Sequence, residues 1–215
     1  MPGTIPNTVW LFRIVHINNV EYILRNGMFT HQHAQADPNY INIGDSSLIA
    51  QRHVHAVGIN PPGGNLGDYV PFYFGALSPM LLNIMTGYRG ITQRPQRDIV
   101  YICCKLDDLT THCGEWCFTD GHGKNAITEF YNDIAQLGEV DWNVVGERYW
   151  NNTDDDFDKM RKKQAEFLVQ GNVPPICISR IVVYNADASN TVQEIVDRLG
   201  LEIPVRINPN NQFYY

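Results

Sequence analysis

Positive charge is scarce in this chain. Sixteen Lys and Arg face 23 Asp and Glu across 215 residues, a formal net charge of −7. Proteins that coat nucleic acid without regard to sequence are usually basic, so any nucleic-acid contact here must be local. Charge of either sign is thin at 18%, which argues against a disordered or coiled-coil chain. No apolar run is long enough to span a bilayer. The start, Met1-Pro2-Gly3-Thr4, has neither the basic region nor the apolar stretch of a signal peptide, so the expected location is the cytoplasm. Cysteine is sparse and odd in number (Cys103, Cys104, Cys113, Cys117, Cys177), which implies no disulfide framework. No Walker A pattern and no Gly-x-Gly-x-x-Gly precedes a helix, so neither a P-loop nor a Rossmann site is supported. Internal repeats and low-complexity linkers are absent too.

What is present is a 44% apolar share, enough for a real core, in a length that suits one domain over residues 1–215. Strands are expected at Thr8–Val15, Tyr69–Phe74, Asp98–Lys105, Trp116–Thr119, from Glu166, and at Ile176–Tyr184. Closing strands are expected at Ile203–Ile207 and Phe213–Tyr215, and a short alternating strand at Ile49–His55. Helices are expected from Val20 to a stop at Gly27, from Pro79 to Gly87, and over Thr128–Leu137 and Asp154–Lys163. A last helix carries Val192, Ile195, Val196 and Leu199 on one face, with Thr191 and Glu194 as a capping box and Gly200 as its end. Met28–Asp68 is loop-rich, and Asp141–Asn152 has no clear period. The class is α+β.

The most informative stretch is Gln164-Ala165-Glu166-Phe167-Leu168-Val169, a lone carboxylate at the head of an apolar strand. A strand holds a catalytic acid or base rigidly. On these residues alone a solvated edge-strand carboxylate is the plainer reading. By the same measure His16 reads as a core histidine, Arg52 as a surface arginine and the Tyr69–Phe74 aromatics as core. His112, Cys113, Cys117 and His122 have donors suited to zinc, but the Cys-x-x-x-Cys spacing is unusual, so no metal is expected.

Four segments, in this order, resemble the DarT family of DNA ADP-ribosyltransferase toxins: Arg13-Ile-Val-His-Ile-Asn-Asn-Val20, Tyr69-Val-Pro-Phe-Tyr-Phe-Gly-Ala-Leu-Ser-Pro-Met80, Phe118-Thr-Asp-Gly-His-Gly123 and Gln164-Ala-Glu-Phe-Leu-Val169. The resemblance implies an ADP-ribosyltransferase fold. That is a split, twisted β core with peripheral helices, a cleft for NAD as co-substrate, and a long substrate-covering loop between Thr119 and Lys163. It implies transfer of ADP-ribose onto a base of single-stranded DNA in a short sequence context. It also implies a DarG-like macrodomain antitoxin as partner. Matched by position, Glu166 and Arg52 are the catalytic pair. His16, Asn18, Asn19, Arg52, Tyr73, Ser78 and Met80 are the expected NAD site. Val15 departs from the threonine common among relatives and removes a hydroxyl.

Chemistry supports those residue types. A carboxylate facing the charge that builds on a ribose as nicotinamide leaves stabilises the transition state more than the substrate. Arg52 suits the NAD diphosphate. Strand alternation puts either Tyr73 or the pair Phe72 and Phe74 toward the cleft, not both. Two basic groups, Arg161-Lys162-Lys163 and Arg89 with Arg94 and Arg97, are candidate DNA contacts, or else solvated charges. Trp142, Tyr149 and Trp150 are candidate stacking platforms. RNA or protein targets, and a non-catalytic binding module, remain open as alternatives.

Overall fold

The structure, a computed structural model, describes residues 3–215. Met1 and Pro2, with the N-terminal reading made on them, and the side chain of Arg89 lie outside the described residues. The strands are β1 (Trp10–His16), β2 (Met28–Phe29), β3 (Tyr69–Tyr73), β4 (Ile99–Lys105), β5 (Trp116–Thr119), β6 (Phe130–Tyr131), β7 (Glu166–Gln170), β8 (Asn172–Val173), β9 (Ile178–Val183) and β10 (Val205–Ile207). The helices are α1 (Val20–Asn26), α2 (Ser46–Arg52), α3 (Pro79–Thr86), α4 (Leu106–His112), α5 (Trp142–Gly146), α6 (Lys159–Lys162) and α7 (Ala186–Arg198).

Eight strands form one mixed sheet in the order β10-β9-β4-β1-β3-β7-β5-β6, and β2 pairs with β8 beside it. The sheet is split at its centre. β1 pairs with β4 along its whole length, yet meets β3 at a single position, Phe12 opposite Tyr73. Pro71 explains the break. Its carbonyl faces β1, so the missing proline N–H removes a rung on that same edge. The carbonyl is satisfied instead by the Arg13 guanidinium at 3.0 Å. A side chain therefore fills the wedge where backbone pairing stops.

One face of the sheet packs continuously. Leu11, Val15, Phe72, Phe74, Ile102, Phe118 and Phe167 bury there against α1 and α7. The other face carries two separate clusters. Phe12, Ile14 and Tyr101 pack under α3 and the C-terminal aromatics, while Leu168, Cys117 and Tyr69 pack under the 53–68 segment. Between these clusters the same face presents Tyr73 and Glu166, which are register partners.

Several expectations give way. Ile49–His55 is not a strand, because Asp45 caps a helix there by accepting from Ser47 N and Leu48 N. Thr128–Leu137 is the short β6 followed by a 3-10 turn over Ile134–Glu139, capped by Asp133. Of Asp154–Lys163 only Lys159–Lys162 is helical, because Thr153 and Asp156 close a tight turn on each other first. Thr191 lies inside α7, which is capped by Asn185, and it donates to Asp187 O, so the Thr191–Glu194 box does not exist. Phe213–Tyr215 is not a strand but an aromatic plug. The Tyr214 hydroxyl donates to Ile99 O and Val182 O, and that of Tyr215 to Leu77 O. α4 went unread because no capping side chain marks its start.

Candidate active site

Glu166 opens β7 on the sheet's divided face and is only 3% exposed. Its backbone N–H donates to Thr119 Oγ1 at 3.0 Å, which locks the strand end to β5. α2 crosses above, and its last residue, Arg52, sets Nη1 3.0 and 3.1 Å from the two carboxylate oxygens. The Arg52 Nη2 is buried with no partner. Beside the pair, the Tyr73 hydroxyl has only a long contact to Met80 Sδ, 3.9 Å. Burial and the neighbouring carboxylate push the Tyr73 phenol well above its ordinary pKa, so it stays protonated. Buried polar groups without partners are rare and mark sites that expect a polar ligand. Phe72 and Phe74 point into the core behind, so alternation gives the cleft to Tyr73.

The fourth wall is the loop after β5. A Cβ at Gly123 would come within 3.0 Å of Glu166 Oε2, so only glycine sits easily against the carboxylate. His122 beside it accepts the Lys124 N–H on Nδ1 at 3.2 Å. Burial lowers its pKa, with Glu166 opposing and Arg52 adding to the shift. A neutral ring that accepts on Nδ1 carries its proton on Nε2, so His122 offers a donor. In the sequence it lies within the Phe118–Gly123 segment of the resemblance and is a possible zinc donor, without an assigned role in the site; the flanking Gly121 and Gly123 are the signal for a close-packed loop.

The remaining candidates divide. His16 ends β1 on the same face as Phe12, roughly 13 Å further along the strand by its rise per residue. Its Nδ1 accepts from Asn18 N at 3.2 Å. Burial and then Arg94 lower its pKa, and Asp98 raises it. Asn18 is exposed. Asn19 is buried and grips the loop backbone, donating to Ile41 O and accepting from Ile41 N, both at 2.9 Å. Ser78 is buried as the cap of α3, accepting from Leu81 N. Structure thus gathers Arg52, Glu166, Tyr73 and Met80. It leaves His16 on the other half of the split sheet, and gives Asn19 and Ser78 scaffolding work.

One amino group of Arg52 is therefore committed to Glu166, while Nη2 has no partner among the described residues. The basic run beside Glu166 is committed as well. Arg161 is bound by Asp120 and Asp158. Lys162 is bound by Asp156. Lys163, 1% exposed, donates to the carbonyls of Ala76, Val145 and Glu147 at 3.0, 2.6 and 2.7 Å. Trp142 packs edge-on against Phe74 and donates to Leu137 O, and Trp150 is buried on the Tyr215 hydroxyl. Neither is a free platform; Tyr149, 79% exposed, is. Arg97 is solvated and Arg94 has a buried Nε without a partner. The four zinc-type donors do not converge: Cys117 is in the core, and Cys113, a free thiol, interacts with the free thiol of Cys177. Among the described residues no three His, Cys, Asp or Glu side chains are grouped to hold a metal.

Comparison with known proteins identifies the family. The family profile described as "ssDNA thymidine ADP-ribosyltransferase, DarT" matches residues 12–215. A DNA ADP-ribosyl transferase of Escherichia coli O127:H6 is 34% identical over 200 residues, covering 93% of this chain and 91% of that one. The structure of Thermus sp. 2.9 DarT in complex with ADP-ribosylated single-stranded DNA superposes with a TM-score of 0.88 at 29% identity, covering both chains fully. The same Thermus protein with NAD+ gives 0.80 at 28% identity, covering 98% of this chain and all of that one. A fusion of a DNA ADP-ribosyl transferase with a DNA ADP-ribosyl glycohydrolase in Thermosipho africanus is 24% identical over 200 residues, 90% of this chain and 47% of the fusion. With the split sheet, the buried Glu166–Arg52 pair and the glycine-bounded loop already in place, these matches show that the chain belongs to the DarT family of DNA ADP-ribosyltransferases.

Proposed function

We propose that this enzyme transfers ADP-ribose from NAD onto thymidine in single-stranded DNA, with Glu166 as the catalytic carboxylate. The observation that carries the assignment of roles is the buried Glu166–Arg52 pair, with an orphaned Arg52 Nη2 and the Tyr73 hydroxyl turned to the same place. These donors fit a ribose bearing hydroxyls. Tyr73 and Met80 border the nicotinamide end, and His16, Asn18, Asn19 and Ser78 shape the rest of the NAD site directly or through the backbone they hold. NAD supplies an ADP-ribosyl group on a bond weakened by its cationic nicotinamide.

The chain's own residues do the rest. Glu166 is held in one rotamer by Arg52, facing the space where positive charge grows on the ribose. Because the carboxylate is fixed and shielded from water, little reorganisation is needed as that charge appears. Arg52 gives the buried Glu166 carboxylate a charge partner. The one N–H in the thymine ring must lose its proton as the new bond forms, and the Glu166 carboxylate is a group able to take it. The 120–128 loop presents the base. A duplex hides that edge, which favours single strands.

The partner we infer is a DarG-like macrodomain antitoxin, in keeping with the toxin–antitoxin setting of the family, and the site of action is the cytoplasm. No described helix is long and apolar enough to cross a membrane. The chemistry requires no metal. The decisive test is incubation with labelled NAD and thymidine-containing oligonucleotides in single-stranded and duplex form, with RNA and protein pools beside them. Label on single strands, lost when thymidine is replaced, supports the proposal. Label on RNA or protein alone would overturn it.

A further inference from the structure

Arg161 was a candidate for the DNA backbone, and the structure gives it another task. Its guanidinium is 9% exposed and bound on two sides. On one side Nη1 and Nη2 donate to Asp120 Oδ1 and Oδ2 at 2.8 and 3.0 Å, and Nη1 also donates to Thr128 Oγ1 at 3.1 Å. On the other side Nε and Nη2 donate to Asp158, one turn earlier on the same segment. Its carbonyl accepts the His122 N–H at 3.1 Å. Gly121 lies so close that a Cβ there would meet Nη1 at 2.3 Å.

Asp120 and Thr128 are the two ends of the loop that places His122 and Gly123 against Glu166. Asp120 also accepts the Glu129 N–H at 2.9 Å, and Thr128 Oγ1 donates to His122 O at 2.9 Å. One buried guanidinium thus ties both loop ends, and through its own carbonyl the loop centre, to the segment that leads into β7. We propose that Arg161 is a positioning residue that fixes the 120–128 loop for the target base, so that the Arg161–Asp120 ion pair sets DNA recognition while leaving NAD binding alone. This rests on the functional reading above.

The two acids on Arg161 provide the experiment. Asp120→Asn weakens the side that holds the loop. Asp158→Asn weakens the side that does not, with a similar loss of charge pairing. Small misplacement at a reacting centre costs about a hundredfold in rate. Asp120→Asn is expected to raise the KM for a thymidine oligonucleotide about tenfold and to relax its sequence preference, with the NAD Kd by calorimetry unchanged. Asp158→Asn is expected to lower thermal stability without moving the oligonucleotide KM. Hydrogen exchange at the 121–128 amides, which needs no substrate, should speed up in Asp120→Asn and not in Asp158→Asn. Equal effects of the two variants on KM and exchange, or a weakened NAD Kd in Asp120→Asn, would overturn the proposal. If the unaltered chain fails to modify single-stranded DNA, the functional reading falls, and exchange alone still decides whether Asp120 holds the loop.

Discussion

Glu166→Gln separates charge from shape. The carboxylate is 4% exposed at its side chain and Arg52 is 12% exposed, so both ions are largely out of water. Breaking a buried pair by removing one partner costs about 3–5 kcal/mol. Glutamine keeps the volume and one oxygen acceptor for Arg52 Nη1, so a smaller loss, about 2–3 kcal/mol, is expected. For a protein of this size that is a fall of roughly 4–12 °C in Tm. The effect on turnover should be larger than any effect on ground-state binding. Loss of one fixed group that faces transition-state charge costs about 10²–10³ in rate. The loss of a proton acceptor adds to that in the DNA reaction. Nicotinamide release and oligonucleotide labelling should therefore collapse together, while calorimetry still finds NAD bound, because NAD is held by many contacts. Measurements belong well below the lowered Tm, so that unfolding does not pass for lost catalysis. A glutamine variant with near-normal labelling would refute the reasoning. Glu166 would then only orient the ribose.

Three further outcomes are expected. Burial lowers the Lys163 pKa to about 8 from 10.5, so across that window the unfolded chain binds a proton that the folded chain has released. Stability should gain with rising pH there, and chemical denaturation of Lys163→Met should lack that gain; an equal pH slope in both proteins would contradict it. His16 and His122 both have pKa values below 6.5 in the fold, so acidification through 6.5 protonates the unfolded state first and should cost stability, an effect that His16→Gln with His122→Asn should flatten in acid unfolding curves. Oligonucleotide affinity should fall only gently with salt, with a log–log slope near −1.4 if about two phosphates are contacted, and a steep slope would reveal a basic surface that these ion pairs do not suggest.

The strand that Glu166 heads was legible from its apolar run. The run alone favoured a solvated edge-strand carboxylate, whereas β7 lies between β3 and β5; the four-segment resemblance singled out Glu166. Pro79 and Gly87 bounded α3 as local signals, and the observed bounds, Pro79–Thr86 with Gly87 in the left-handed region, agree. The failures share a cause. Asp45, Asp133, Thr153 and Asn185 decide where segments start by bonding the backbone two or three residues on, and a scan for apolar period does not register them. The direct contact between Arg52 and Glu166 was not legible, since their distance in the chain hides it. Arg161, Lys162 and Lys163 read as a basic patch because adjacency in sequence was taken for adjacency on a surface. Asp156 and Asp158 lie just before them, while Asp120 and the carbonyls of Ala76, Val145 and Glu147 arrive from elsewhere in the chain.

That last point bears on how an acidic enzyme handles a polyanion. A net charge of −7 repels DNA at long range, and Arg161, Lys162 and Lys163, just before Glu166 in the chain, are held by Asp120, Asp156, Asp158 or buried carbonyls. Attraction to phosphate is therefore expected to contribute little, and non-specific binding, which is almost wholly electrostatic, to be weak. Contacts to phosphate position a strand, while contacts to bases select it. A site with few of the first must draw its selectivity from the second, that is, from how rigidly the 120–128 loop is held. The same arginine that might have bound DNA directly is better placed holding that loop. A surface arginine would add affinity for every sequence alike, whereas a buried one that fixes His122 and Gly123 beside Glu166 favours only a base that fits.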